Sequence, residues 1–268
     1  MVESNLSFSQ IILNSPKLVW HEKYVPLNIL STLHALHINL NYKKSLEDKP
    51  ISWLQGLFAV IVMSLGGSTT SAILCGKAPH WLASNTTITT YLIIYFLIFY
   101  IPFFHRFCNS IPKMILDPIL LIADGILRTY SIYSMIDNIL FEMNDEPLLK
   151  NSWVAILLCG TLSGCGGSIW VSAFQMKSPN WSFTTPSTFL EPTYDMKISF
   201  MITLFYASTI SSSSWMIFQK FNLDNLDQRK IWAIIGMAGL NLIKLKETLK
   251  NDNNNNDDNN NTQKPKML

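Results

Sequence analysis

The chain has 268 residues and a formal net charge of +2. Charged residues make up 14% of it and apolar residues 49%, against about 25% charged in soluble domains. Such a chain is too apolar for a water-soluble domain and too long for a single anchor, which leaves one membrane domain as the expectation.

Residues 1–22 lack the basic start and long apolar core of a cleavable signal, so they are read as a lumenal segment and the first span is expected to insert as itself. Seven candidate spans follow, judged against the roughly 20 residues a helix needs to cross a bilayer. The first, 23–41, contains "YVPLNILSTLHALHINL" with Asn28, His34 and His37, and reads either as a span or as an interfacial amphipathic helix. The second, 52–76, opens "SWLQGLFAVIVMSLGG", and the third, 86–104, carries "YLIIYFLIFYIPFF". The fourth, 112–136, holds Asp117, Asp124 and Arg128, charges that only a protein-lined or water-lined environment tolerates inside a membrane. The fifth is 152–176, the sixth 197–218 and the seventh 229–247. The remainder, 248–268, is an Asn- and Asp-rich tail expected to be disordered and cytosolic.

The second and fifth spans repeat one another at a constant offset of one hundred residues. Ser52/Ser152, Trp53/Trp153, Leu57/Leu157, Gly66/Gly166, Gly67/Gly167, Ser68/Ser168, Lys77/Lys177, Pro79/Pro179 and Trp81/Trp181 are identical. Lying three helices apart, the two copies would enter the membrane in opposite directions. The fold class expected is therefore an all-α membrane protein of seven transmembrane helices, two inverted three-helix repeats (about 23–104 and 112–218) plus one (229–247). Lys and Arg in the loops, the termini and the span ends number twelve on the side of the C terminus and seven on the other, which places the C terminus in the cytosol.

Paired glycines loosen a helix and let carbonyls tilt out of its ladder, and hydroxyls beside them add neutral oxygens that a weakly hydrated monovalent cation accepts in place of water. Gly66, Gly67, Ser68 and Thr69 with Gly166, Gly167 and Ser168 are accordingly candidate pore-lining residues. The other reading is that the small residues only permit close helix packing; recurrence in both copies favours the pore. Lys77 and Lys177 suit snorkelling to the interface, and Trp81 and Trp181 the aromatic belt.

The runs "GGSTTSAILCGKAPHWLASNTTI" and "YFLIFYIPFFHRF", the "LRT" of the fourth span and "SGCGGS" of the fifth together resemble the trimeric intracellular cation channel family, in its order and spacing, over roughly residues 20–245. The resemblance implies a seven-helix fold of inverted repeats, a homotrimer with a pore in each subunit, and kinked second and fifth helices lining it. It also implies conduction of monovalent cations, chiefly potassium, across the endoplasmic reticulum membrane, balancing charge during calcium release. One departure stands out. Where animal members carry Lys-Glu-Val-x-Arg-x-x-Lys, associated with a phosphoinositide headgroup, this chain reads Asp124, Gly125, Ile126, Leu127, Arg128, Thr129, Tyr130, Ser131. Two positive charges are gone and a negative one is added, which disfavours an anionic headgroup. Asp124 and Arg128 stand four residues apart on one helix face, and read as an internal ion pair, a charge near the pore, or a residual lipid site.

Cys75, Cys108, Cys159 and Cys165 have no metal-binding spacing, the five His form no evident ligand cluster, and no nucleophile elbow or phosphate loop is present. An enzyme, a cofactor and a nucleic-acid partner are therefore not expected; membrane lipid and further copies of the chain are. Lys264 and Lys266 resemble a dilysine retrieval signal. The alternative is a seven-helix solute carrier resembling sugar transporters, whose repeats run parallel; a non-conducting scaffold is a third reading.

Overall fold

The computed structural model describes residues 8–17, 19–21, 25–47, 49–143, 147–150, 152–210 and 225–262. A short helix, α1 (Phe8–Asn14), leads into an antiparallel hairpin of β1 (Val19–His21) and β2 (Val25–Asn28). Helix α2 (Ile29–Ser45) starts only where Asn28 caps it by accepting from the Ser31 N–H at 2.9 Å, so the expected first span begins as strand, not helix. There follow α3 (Trp53–Leu74), α4 (Asn85–Tyr100), α5 (Pro102–Ser110), α6 (Lys113–Asp137), α7 (Pro147–Lys150), α8 (Trp153–Ala173), α9 (Ser187–Leu190), α10 (Tyr194–Ile210) and α11 (Leu226–Thr262).

The repeat is visible in how its two long helices are bounded. Ser52 accepts from the Gln55 N–H at 3.3 Å and Ser152 from the Ala155 N–H at 3.2 Å, the hydroxyl cap that satisfies an orphan donor of a first turn. Both helices end in the same motif: Gly76 (φ +67°) and Gln175 (φ +49°) take the left-handed conformation. The next residues, Lys77 and Met176, donate back to the Ala72 and Val171 carbonyls at 2.8 and 3.0 Å.

Three expected boundaries change. The span 86–104 is broken: α4 stops at Tyr100 and α5 leaves it at 90°, because the residue before Pro102 is pushed out of helical geometry (Ile101 φ −109°, ψ 93°). The fourth helix overruns its expected end by a π-helical turn, Asn138–Glu142. The last helix continues to Thr262, drawing most of the Asn-rich segment expected to be disordered into a helical backbone; extending a helix is easier than starting one. Of the sixth span, residues 211–218 lie outside the described residues. Among the described residues, Trp53–Leu74, Lys113–Glu142 and Trp153–Ala173 are long and apolar enough to cross a membrane, and the bent α4–α5 pair is a fourth candidate. Their outward faces carry exposed apolar side chains such as Phe58, Ile73, Val154 and Leu158, as a lipid-facing surface would.

Two cores flank a central helix pair. Tyr42, Val60 and Tyr95 pack α2, α3 and α4 together, while Ile132, Ile136, Ile156, Tyr206 and Met237 do the same for α6, α8, α10 and α11. The halves are joined by α3 and α8, which form the most extensive helix contact of the molecule. These two run antiparallel: Gln55 at the start of α3 donates to the Pro179 carbonyl beyond the end of α8 at 2.7 Å, and Ser71 near the end of α3 donates to the Cys159 carbonyl near the start of α8 at 2.8 Å.

Where α3 and α8 cross, the glycine pairs meet. A Cβ built on Gly66 would lie 3.3 Å from Gly167 Cα, and one on Gly166 2.8 Å from Gly67 Cα. A Cβ on Gly67 would come within 2.5 Å of the Leu162 carbonyl oxygen, and one on Gly167 within 2.5 Å of the Met63 carbonyl oxygen. Residues 62–63 and 162–163 are themselves one hundred apart, so each copy meets the other through equivalent atoms. Gly67→Ala and Gly167→Ala are each expected to lower stability by about 1–3 kcal/mol through overpacking against backbone. Gly239→Ala, whose Cβ meets nothing within 4 Å, should be neutral or stabilising by up to about 1 kcal/mol. Thermal unfolding of the three purified variants tests the contrast; equal midpoints would contradict it.

Candidate functional site

A cavity of about 1260 Å³ runs alongside the α3–α8 crossing. Its wall includes Lys77 and Asn138 at the C-terminal end of α3, and Gln175 and Lys177 at that of α8. Because α3 and α8 are antiparallel, these residues mark opposite ends of the helix pair, and the cavity spans its length. Lys77 donates to the Asn138 side-chain oxygen, so it is tied to α6 rather than only reaching toward an interface.

The expected pore-lining residues divide into two groups. Gly67, Ser68, Gly167 and Ser168 line the cavity; Gly66 and Gly166 lie in the helix–helix contact. Thr69 is turned toward Trp81, accepting from its Nε1–H at 2.8 Å while donating to the Leu65 carbonyl at 2.7 Å. Both helices remain continuous through their glycine pairs, so the expected break is absent there. Hydroxyls hold the turns closed: Thr70 donates to the Gly66 carbonyl at 2.7 Å, and Ser71 shares its proton between the Gly67 carbonyl at 3.1 Å and the Cys159 carbonyl at 2.8 Å. Ser68 and Ser168, both on the cavity wall, donate to the Leu65 and Cys165 carbonyls at 3.1 and 2.7 Å, so each hydroxyl oxygen keeps its acceptor capacity. With both helices continuous through their glycines, the polar side-chain atoms these residues bring to the cavity wall are the Ser68 and Ser168 hydroxyls.

Asp124 and Arg128 also line the cavity. Asp124 is 1% exposed and accepts from Arg128 Nε at 2.9 Å. Arg128 Nη1 reaches Asp195 Oδ1 at 3.2 Å, which places one guanidinium between a carboxylate of its own helix and one of α10. His34 of α2 completes the group, its Nε2 lying 3.3 Å from Asp124 Oδ1 and its Nδ1 2.7 Å from the Tyr91 hydroxyl of α4. The i,i+4 pair was legible in the sequence; His34 and Asp195 as its partners were not, since each comes from a distant helix. The signal for His34 was weak, one of several polar residues, with Asn28 and His37, in the first candidate span. A second ion pair, Lys230 to Asp137 at 2.7 Å, with the Tyr206 hydroxyl donating to the same carboxylate at 2.7 Å, ties α11 and α10 to the end of α6.

A helical bundle with exposed apolar faces, a glycine crossing and a polar cavity along it defines a membrane protein of the channel or carrier class. The sequence matches the TRIC channel family over residues 41–224, and the chain belongs to that family, whose members are channels and not enzymes. Among curated proteins it is similar to the trimeric intracellular cation channel type B of Bos taurus, 23% identical over 172 residues, 63% of this chain and 55% of that protein; the match spans little more than half of that relative. Among solved structures it is similar to a TRIC counter-ion channel studied for its activity in calcium release, with TM-score 0.63, 19% identity and coverage of 86% of this chain and 96% of the other. A trimeric intracellular cation channel of C. elegans, determined without Ca²⁺, gives 0.59 at 16% identity, covering 90% and 97%. A prokaryotic TRIC channel gives 0.53 at 13%, covering 82% and 96%. The shared fold is the content of these three likenesses. The sugar-carrier alternative draws no support from these relatives.

Removing the guanidinium should be costly and separable. Arg128→Ala leaves a buried carboxylate with His34 alone, an uncompensated charge of the kind that costs about 3–5 kcal/mol, so the yield of folded protein should collapse. Adding Asp124→Asn should recover much of it, and fluorescence size-exclusion of the single and double variants reads the difference. A double variant no better than Arg128→Ala would contradict the ion-pair account.

Proposed function

We propose that this chain is a monovalent cation channel with potassium as its main permeant ion, a homotrimer in the endoplasmic reticulum membrane that balances charge during calcium release. The observation that carries the proposal is the cavity along the α3–α8 pair, lined by Ser68 and Ser168 from the two copies of the repeat. Neutral hydroxyl oxygens replace the hydration of a weakly hydrated monovalent cation without the deep trap a row of carboxylates would make. The one strongly buried carboxylate on its wall, Asp124, is already engaged by Arg128.

Seven spans arranged as inverted three-helix repeats plus one are part of the same reading. In its support, α3 and α8 run antiparallel and touch through residues matched at the offset of one hundred. The side of the C terminus rests on the Lys and Arg asymmetry. Trimer assembly rests on the description of the bovine relative as trimeric. A phosphoinositide headgroup is not proposed as a ligand: Arg128 already faces Asp124 and Asp195, and an added anion would meet two carboxylates.

Purified protein in planar bilayers should give discrete single-channel steps whose reversal potential follows the potassium gradient. Saturable flux without steps would contradict the channel reading. Replacing Ser68 and Ser168 together by Ala removes two neutral ligands, each comparable to a hydrogen bond of about 0.5–1.5 kcal/mol. The relative permeability of potassium over a larger organic cation should then shift by roughly five- to a hundredfold, the sum of the two losses, with single-channel steps still present.

A further inference from the structure

Three sulfur atoms from three different helices meet beside the cavity, and none of them belongs to the hydroxyl pathway or the charge cluster. Cys75 caps the C terminus of α3, Met135 lies on α6 and Cys159 on α8. Cys75 Sγ is 3.6 Å from Cys159 Sγ and 3.9 Å from Met135 Sδ. Both cysteines are free thiols, 6% and 4% exposed. The Ser71 hydroxyl, one turn before Cys75, holds the Cys159 carbonyl at 2.8 Å, which fixes α3 against α8 at this level.

With a metal–sulfur bond of about 2.3 Å, three sulfurs around a trigonal ion stand about 4.0 Å apart, and the two spacings from Cys75, 3.6 and 3.9 Å, come within a few tenths of an ångström of that. Thiolate and thioether are the soft donors that select copper(I) over the harder divalent ions. Zinc takes four ligands as a rule, and among the described residues no group of three His, Cys, Asp or Glu is available to complete such a set. An entry route exists, because Cys75 and Met135 both line the cavity.

We propose that Cys75, Cys159 and Met135 form a binding site for a soft monovalent d¹⁰ cation of the copper(I) class, opening onto the cavity near Lys77. Binding forms two metal–thiolate bonds and one metal–thioether bond and releases the two thiol protons to solvent. The bound group carries one net negative charge at the end of the cavity where Lys77 stands. Nothing in this site depends on whether the channel conducts.

The test uses the full-length chain in detergent, reduced and desalted under nitrogen, with silver(I) as a redox-inert probe. A thiol titration of the denatured sample first establishes that all four cysteines are reduced. Native mass spectrometry should then show one silver ion per chain, and competition with a soluble thiol should give its affinity. Cys75→Ser and Cys159→Ser should each weaken binding at least a hundredfold, while Cys108→Ser leaves it unchanged. Met135→Leu, a volume-conserving change that preserves folding, should weaken it by roughly tenfold, comparable to the loss of a supporting group at a metal site. Failure of the reduced wild-type chain to bind silver would overturn the proposal. Binding that persists undiminished in Met135→Leu and in both serine variants would overturn it as well.

Discussion

Everything else in this molecule is arranged around one backbone-to-backbone approach, that of α3 and α8 at their glycine pairs. In a membrane, lipid gives helices no hydrophobic reason to associate, so close van der Waals contact has to supply the attraction. Here that contact is so close that a methyl group at Gly67 or Gly167 would sit 2.5 Å from a carbonyl oxygen of the other helix. The two halves of the chain, each with its own apolar core, are held together mainly through this crossing. The cavity runs beside this approach, and Ser68 and Ser168, each next to its glycine pair, stand on its wall.

The second constraint is electrostatic. A charged side chain inside a bilayer is expensive unless it is paired or meets water, and this chain satisfies both conditions at one place. Arg128 is engaged by Asp124 and Asp195, yet remains 20% exposed toward the cavity. His34 and Tyr91 extend the network to α2 and α4, so five helices, counting α11 through the 3.9 Å approach of Lys244 to Asp195, are tied to a single carboxylate–guanidinium pair. The same residues that make the wall polar also stop it from being a trap for cations, since the negative charge of Asp124 is already answered.

The repeat was the most informative feature of the sequence because a constant offset reports on structure without any alignment. Ser52 and Ser152 cap their helices and the glycine pairs meet each other, while the closing turns, at Lys77 and Met176, fall one residue out of that offset. The pair Asp124 and Arg128 was legible for a similar reason, since an i,i+4 spacing fixes proximity on a helix. Long-range partners left no such trace. Nothing in the order of residues joins His34 to Asp124, or Cys75 to Cys159. Local competition misled as well: Pro102 lies inside an apolar run that reads as one span, and only its effect on Ile101 turns α5 away from α4. The glycines were expected to open the helix, whereas the neighbouring hydroxyls of Thr70 and Ser71 hold it closed and leave close packing as the use made of the missing side chains.

Because α3 and α8 are matched copies running in opposite directions, the positions just ahead of each are expected on opposite faces of the membrane. Lys49 precedes α3 and Leu148, which is 87% exposed, precedes α8, while the four native cysteines are buried. Lys49→Cys and Leu148→Cys, probed separately with a membrane-impermeant maleimide on sealed microsomes, test this directly. Lys49→Cys should react from the cytosolic side and Leu148→Cys only after permeabilisation; equal labelling of both in intact vesicles would show that the two helices do not cross in opposite directions.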